Sequence, residues 1–261
     1  MPFAFVCLVT FVAGLVVGSF LNVCIYRLPL GRSVVYPPSS CPACGHRIRP
    51  WHNIPVISYV LLLGRCASCG GRISPVYPAV ELLNALLYAG ALYRFGLTAH
   101  ALIVMALASS LIVAAFIDLR HRIIPNEITY PGIPAGLLLG PLAFHTGFLN
   151  SLLGVLVGGG LLFGISFLVS LVIRKESLGF GDVKLMAMVG GFLGWRSALL
   201  TIFIGSALGS VVGLGLIFSG RMDRRAYIPF GPFLVAGALV AVYFGSGITD
   251  WYFGGMPFRW R

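Results

Sequence analysis

Long stretches without a formal charge constrain this chain more than any other feature. Residues 128–173 contain no Asp, Glu, Lys or Arg across 46 positions. A helix needs about 20 apolar residues to cross a bilayer, so this run holds two crossings, with a turn expected near His145–Asn150. Further apolar runs at Met1–Tyr26, Ala79–Tyr93, Phe95–Ile117, Leu185–Trp195, Ser197–Gly220 and Ala226–Thr249 bring the expected count to eight. Leu185–Trp195 is the shortest of them. The chain is 58% hydrophobic and only 10% charged, against about a quarter charged in a soluble domain. A soluble fold could not hide that much apolar surface. The reading is an all-α polytopic membrane protein. Its first run is not read as a secretory signal, because no basic residue precedes the apolar stretch.

The net charge of +11 would point to nucleic acid in a soluble protein. Here the basic residues crowd into a few loops, so they report topology and anionic lipid instead. With the segment from Arg27 to Pro78 placed in the cytosol, 14 of the 18 Lys and Arg fall on that side. They include Arg120, Arg122, Arg174, Lys175, Lys184, Arg221, Arg224 and Arg225. Arg94, Arg196, Arg259 and Arg261 remain on the other. This division gives a first helix (1–26), a cytosolic loop domain (27–78) and a seven-helix core (79–261).

Only seven acidic residues exist, and two of them stand where a long apolar span meets a charged loop. Asp118 lies in Phe116-Ile-Asp-Leu-Arg-His-Arg-Ile-Ile-Pro-Asn126. Asp182 lies in Gly179-Phe-Gly-Asp-Val-Lys184. A carboxylate is costly to desolvate at such a boundary, whereas two of them can share one proton and divide acid and base roles. Asp118 falls at the C-terminal end of its span, where the helix dipole opposes negative charge, and Asp182 at an N-terminal start, where it favours it. Asp118 is therefore expected to hold the proton and Asp182 to act as base. The plainer reading pairs each with a nearby cation, Arg120 or Arg122 for one and Lys184 for the other. Glu81 is expected in the first turn of its span. His121 reads as an interfacial residue, and His100 and His145 as polar helix ends.

Cys41-Pro-Ala-Cys44 and Cys66-Ala-Ser-Cys69 form two CxxC pairs with 21 residues between them. Each can offer two thiolates from one tight turn, and two such turns complete a tetrahedral zinc site. Gly45 and Gly70 follow the second cysteine of each pair, as sharp turns require. Two disulfides or a redox pair are the other readings, disfavoured by a cytosolic loop and by the lack of any thioredoxin-like pattern. With no spare ligand position the zinc would be structural, supplying folding energy to a small zinc-ribbon-like insertion. Cys7 and Cys24 read as small buried apolar residues. Gly205, Gly209 and Gly213 share one helix face, and Gly154, Gly158, Gly160 and Gly164 give a second; both read as tight helix packing.

Taken in order, these residues resemble the bacterial prepilin peptidases, the bifunctional leader peptidases and N-methyltransferases of type IV pili and type II secretion. The resemblance runs through Gly18-Ser-Phe-Leu-Asn-Val-Cys-Ile-Tyr-Arg-Leu-Pro29, the paired CxxC loop, Asn53-Ile-Pro55, Ser58-Tyr59 and Tyr77-Pro-Ala-Val-Glu-Leu-Leu83. It continues through the Asp118 motif, the GxGD motif at Gly179–Lys184 and Pro229-Phe-Gly-Pro-Phe-Leu234. The GxGD pattern alone is shared with presenilin-like intramembrane aspartyl proteases; the CxxC loop and the opening motif make the choice. Asn126 and Val76 depart from the family pattern, which often has Asp and Arg there.

The resemblance implies an enzyme of the bacterial inner membrane that clips the basic leader from prepilins or pseudopilins at the cytosolic face. It then methylates the new N-terminus from S-adenosylmethionine. Asp118 and Asp182 would be catalytic, with Gly179, Gly181 and Lys184 in support. No Rossmann-type glycine fingerprint marks a methyl-donor site; Asn22, Arg27 and Glu81 are the polar candidates, with interhelical hydrogen bonding as the alternative for each. Two other classes remain. A proton- or ion-coupled carrier would place ionisable groups at mid-depth, where none is expected here. A zinc-ribbon scaffold would not need both aspartates.

Overall fold

The computed structural model describes residues 3–144, 147–173, 179–221, 223 and 228–252. His145, the loop residues Arg174, Lys175, Glu176, Arg224 and Arg225, the expected start of the last span at Ala226, and Arg259 and Arg261 lie outside them. Helices α1 (Phe3–Arg27), α2 (Ile57–Leu61), α3 (Val76–Phe95), α4 (Ala99–His121), α5 (Asn126–Phe144), α6 (Phe148–Ile173), α7 (Phe180–Phe218) and α8 (Gly231–Tyr252) follow in chain order. No strand forms among the described residues; pairing there is limited to two isolated bridges. Five helices are long and apolar enough to cross a membrane: α1, α3, α4, α6 and α7. Their outward faces are apolar, with Leu149 and Leu168 on α6 exposed by 73% and 63%. Each such side chain would forgo about 1.5–3 kcal/mol in water, a loss that lipid removes.

The chain divides into two compact units, residues 1–113 and 114–261, with the division inside α4. In the first unit α1 packs on α3. A side-chain carbon at Gly14 would lie 2.6 Å from Ala85 Cα, and one at Gly18 2.7 Å from Glu81 Cα. Two glycines four residues apart thus let the two backbones touch. Asn84 ties this contact together, donating to Gly14 O at 2.8 Å and accepting from Ser109 Oγ at 2.9 Å. α3 starts at Val76, three residues before its expected start, and this moves Glu81 out of the first turn and into the second. Two prolines fit this earlier start. Pro75 caps the helix and Pro78 sits in its first turn, where a missing N–H leaves no bond unmade.

In the second unit α5, α6 and α8 all pack on α7. α7 is not one straight rod. Gly194 has φ +78° and ψ 171°, a conformation outside the helix. Gly158 stands against both Met186 O and Ala198 Cβ. Those residues would be about 18 Å apart along a straight helix at 1.5 Å per residue, so the chain folds back at Gly194. The break expected next to Arg196 therefore falls two residues earlier, at the residue that alone carries no steric penalty at positive φ.

The two glycine faces differ. Gly205, Gly209 and Gly213 face the segment that leads into and begins α8, at Leu234, Phe233 and Ile228 respectively. Gly154 and Gly158 lie against the backbone of Gly190 and Met186. Gly160 and Gly164 have nothing within 4 Å of where a side chain would begin, so the second packing face is only half as long as expected. The α7 contact extends through Gly159, which faces Val183 O and Ala187 Cβ, and Gly160 and Gly164 lie outside it.

Candidate active site and four-cysteine cluster

Asp118 stands in the last turn of α4 and Asp182 in the first turn of α7. Both are buried, at 6% and 5% exposure, and they lie near enough for the charge on one carboxylate to act on the other. The backbone N–H of Gly231, the first residue of α8, donates to Asp118 Oδ2 at 3.0 Å. A side-chain carbon at Gly231 would sit 2.6 Å from that oxygen. Three segments far apart in sequence thus meet at one carboxylate pair: the end of α4, the start of α7 and the start of α8. Two buried carboxylates within electrostatic reach of one another can hold one proton between them, one side as acid and the other as base.

Ile124 supports this arrangement. It lies 3.0 Å from where a side chain at Gly181 would begin, and its Cδ1 lies 3.2 Å from the same position at Gly231. Gly181 is therefore bare to admit Ile124. Gly179 leaves open the space beside Asp182 Oδ2, which lies 3.7 Å from its bare face. Lys184 Nζ donates to Asn126 Oδ1 and lies over the rings of Tyr130 and Phe180, at 4.9 and 5.4 Å. Its partners join α7 to α5. Asn126, a departure from the family pattern, offers Lys184 a neutral acceptor. His121 is exposed, and His100 stacks on Phe95 at 4.3 Å.

In the first unit the four cysteine sulfurs lie within 4.8 Å of one another, with Cys41 and Cys69 at 4.0 Å. Zinc–sulfur bonds of about 2.3 Å place tetrahedral sulfurs roughly 3.8 Å apart, so the donor set fits a metal ion. Two matching turns build it. Cys41 N–H donates to His46 O and Gly45 N–H to Cys41 O; Cys66 N–H donates to Gly71 O and Gly70 N–H to Cys66 O. Gly45 and Gly70 carry φ of +69° and +68°, the left-handed turns expected of them. The Cys66 thiol is pulled down to about 6 by the backbone N–H of Cys69 and then of Ser68. At Cys69 the Gly71 amide pulls downward, but the thiols of Cys44 and Cys66 outweigh it and push the group up to about 11.

Asn22, Arg27 and Glu81 all bind backbone. Asn22 donates to Tyr77 O at 3.1 Å, and Arg27 to Ser33 O at 3.0 Å and Pro37 O at 2.6 Å. Glu81 Oε2 accepts the N–H of Val56 at 2.8 Å. Val56 has φ +60°, a strained state for a β-branched residue, and the Glu81 carboxylate holds it there. Arg27 and Glu81 thus fasten the cysteine loop to α1 and α3, and Asn22 ties α1 to α3.

Sequence reasoning missed three contributors: Gly231, Ile124 and Gly194. A glycine within the Pro229–Leu234 motif is the only signal that could have raised Gly231.

Residues 12–95 match the family model described as the Bacterial Peptidase A24 N-terminal domain. Residues 105–214 match that of the Type IV leader peptidase family. The chain is 36% identical to a prepilin leader peptidase/N-methyltransferase of Pseudomonas aeruginosa, over 96% of this chain and 94% of that one. It is 38% identical to one from Pseudomonas putida, over 95% and 93%. Against the Myxococcus xanthus protein of the same description the identity is 45%, over 82% of this chain and 64% of the relative. No solved structure matches the chain.

Proposed function

The chain belongs to the type IV leader peptidase family, and from that premise we propose that it removes the leader peptide of type IV prepilins, or of type II secretion pseudopilins, and N-methylates the exposed residue. The observation that carries the peptidase reading is the meeting of Asp118 and Asp182, both buried, one anchored by the Gly231 amide. Asp182 takes a proton from water as the water attacks the scissile carbonyl carbon. Asp118 gives its proton to the carbonyl oxygen. The tetrahedral intermediate then collapses, the C–N bond breaks, and the amine leaves with a proton from the dyad. Gly231 fixes Oδ2 of Asp118 as an acceptor, which leaves Oδ1 for the shared proton. Gly179 and Gly181 keep the backbone around Asp182 bare, and Lys184 braces α7 against α5.

In this reading eight crossings form the fold: α1, α3, α4, α5, α6, the two arms of α7, and α8. The sequence parts then serve as an anchor (1–26), a cytosolic loop domain (27–78) and a peptidase core (79–261) in the bacterial inner membrane. Basic-residue asymmetry supports a cytosolic dyad and cysteine loop. Cys41, Cys44, Cys66 and Cys69 would hold a structural zinc ion, which supplies folding energy to the loop. S-adenosylmethionine is the methyl donor by family. Asn22, Arg27 and Glu81 are the candidates for its site, and Arg27 and Glu81 also hold the loop on the spans.

The test uses purified protein in liposomes, a prepilin, and the variants Asp118→Asn and Asp182→Asn. Product mass is read with and without S-adenosylmethionine. A leader-sized loss absent in both variants, and a further methyl-sized gain with the donor, is the expected result. Normal cleavage by either variant would sink the dyad.

A further inference from the structure

An open groove of about 330 Å³ lies in the second unit, lined by Ser206, Gly209, Ser210, Ile228, Phe230 and Phe233. We propose that this groove seats the first apolar residues on the C-terminal side of the scissile bond, and so sets which substrates are cut. The proposal rests on the peptidase reading above and adds a binding site to it.

Three observations place the groove at the dyad. Phe230 and Phe233 flank Gly231 in sequence, and the Gly231 amide is the group bonded to Asp118. Gly209 faces the rings of both phenylalanines, at 3.4 and 3.8 Å from where a side chain would begin. Depth gives the third. The chain folds back at Gly194, with Asp182 twelve residues before it and Ser206 twelve after. Gly158 meets both Met186 and Ala198, so four residues further along each arm Asp182 is level with Ile202, and Ser206 lies one turn, about 6 Å at 1.5 Å per residue, beyond it.

The lining decides what enters. It contains two phenyl rings, an isoleucine, a bare glycine and two hydroxyls, and no carboxylate. A basic leader would find no countercharge there, whereas an apolar segment emerging from the bilayer would replace lipid against rings and small residues. The hydroxyls of Ser206 and Ser210 make no hydrogen bond among the described residues. They are free to meet the substrate backbone beside the bond to be cut, where the first residues of an incoming segment still carry unpaired groups. The volume stands at the low end of ligand pockets, which is room for one or two side chains rather than a whole helix.

Two measurements test this. Ser206→Leu and Gly209→Leu fill the groove from the α7 side. Both should lower kcat/KM at least tenfold for a prepilin with a bulky apolar residue just after the scissile bond, while a substrate with Ala there is cut within about threefold of wild type. Equal loss on both substrates, or no loss on either, overturns the proposal. Independently, p-benzoylphenylalanine at Ser206 in an Asp182→Asn background should photo-crosslink intact prepilin on the apolar side of the bond. Crosslinks confined to the leader, or none with substrate bound, overturn it as well. Failure of wild type to cleave any prepilin would instead remove the peptidase reading, so the two failures are told apart.

Discussion

Gly231→Ala separates folding from catalysis in this enzyme. The new methyl group would lie 2.6 Å from Asp118 Oδ2 and 3.1 Å from its Cγ. Ordinary contact begins near 3.4 Å, so the carboxylate must retreat by about 0.8 Å. Retreat is cheap for the fold, because the obstacle is the end of a side chain and not backbone. It is expensive for the reaction. The hydrogen bond from Gly231 to the Asp118 carboxyl oxygen, worth about 0.5–1.5 kcal/mol, is stretched or lost, and a displacement near 1 Å in a reacting group costs about a hundredfold in rate. We expect kcat for leader cleavage to fall on the order of 100-fold, with metal content, detergent melting temperature and membrane insertion close to wild type. Gly164→Ala serves as control, since nothing lies within 4 Å of its bare face; it should be neutral or stabilise α6 by up to about 1 kcal/mol. A Gly231→Ala enzyme that cleaves within threefold of wild type would refute the view that this amide and its missing side chain set the position of Asp118.

The packing and loop contacts give further expectations. Gly154→Ala would push a carbon to 2.0 Å from Gly190 O, a backbone atom that cannot swing aside, so expression of folded protein should collapse; recovery at wild-type yield would contradict the close approach of α6 and α7. Asn84→Ala removes the link between Gly14 and Ser109 and should cost about 0.6–1.7 kcal/mol, the range of interhelical hydrogen bonds in membranes, read as a lower melting temperature in detergent. Metal binding at the cysteines displaces protons, so affinity should fall as pH falls, more steeply below about 6, where Cys66 too must lose its proton; a zinc affinity unchanged between pH 7 and 5, measured against a competing chelator, would exclude a four-thiolate site. Glu81→Ala releases the strained Val56 turn and should impair methyl transfer while cleavage continues; equal loss of both activities would mean misfolding instead.

Much of the site was legible because its chemistry conflicts with its surroundings. A carboxylate at a membrane boundary and four cysteines in two tight turns are anomalies that composition exposes at once. What stayed hidden depends on contacts between distant segments. Nothing near Gly231 in sequence says that its amide will meet Asp118, 113 residues earlier. The apolar run understated α3, because Pro78 is tolerated in a first turn and the helix could start at Val76. The fold-back of α7 was anticipated from a charge at Arg196, but the backbone turned at Gly194, where conformational freedom rather than polarity decides. The small-residue periodicity of α6 marked a face correctly and could not say how far its neighbour extended along it.

The arm of α7 that bears Asp182 runs from Phe180 to the bend at Gly194, 14 residues or about 21 Å at 1.5 Å per residue. A hydrocarbon core is about 30 Å thick. Trp195 and Arg196, stacked at 5.3 Å directly beyond the bend, are the residue types that anchor at headgroup level. With one end held by that anchor and the other by a carboxylate that needs water, the arm is shorter than the bilayer by about 9 Å. At fractions of a kcal/mol per Å of mismatch, the deformation lies within reach of a folded protein. In the eight-crossing arrangement proposed above, the lipid beside this arm is expected to thin, so that solvent approaches the carboxylates by the sinking of the membrane surface. Acyl-chain length would then become a rate-setting variable for an enzyme whose substrate is itself a guest of the same bilayer.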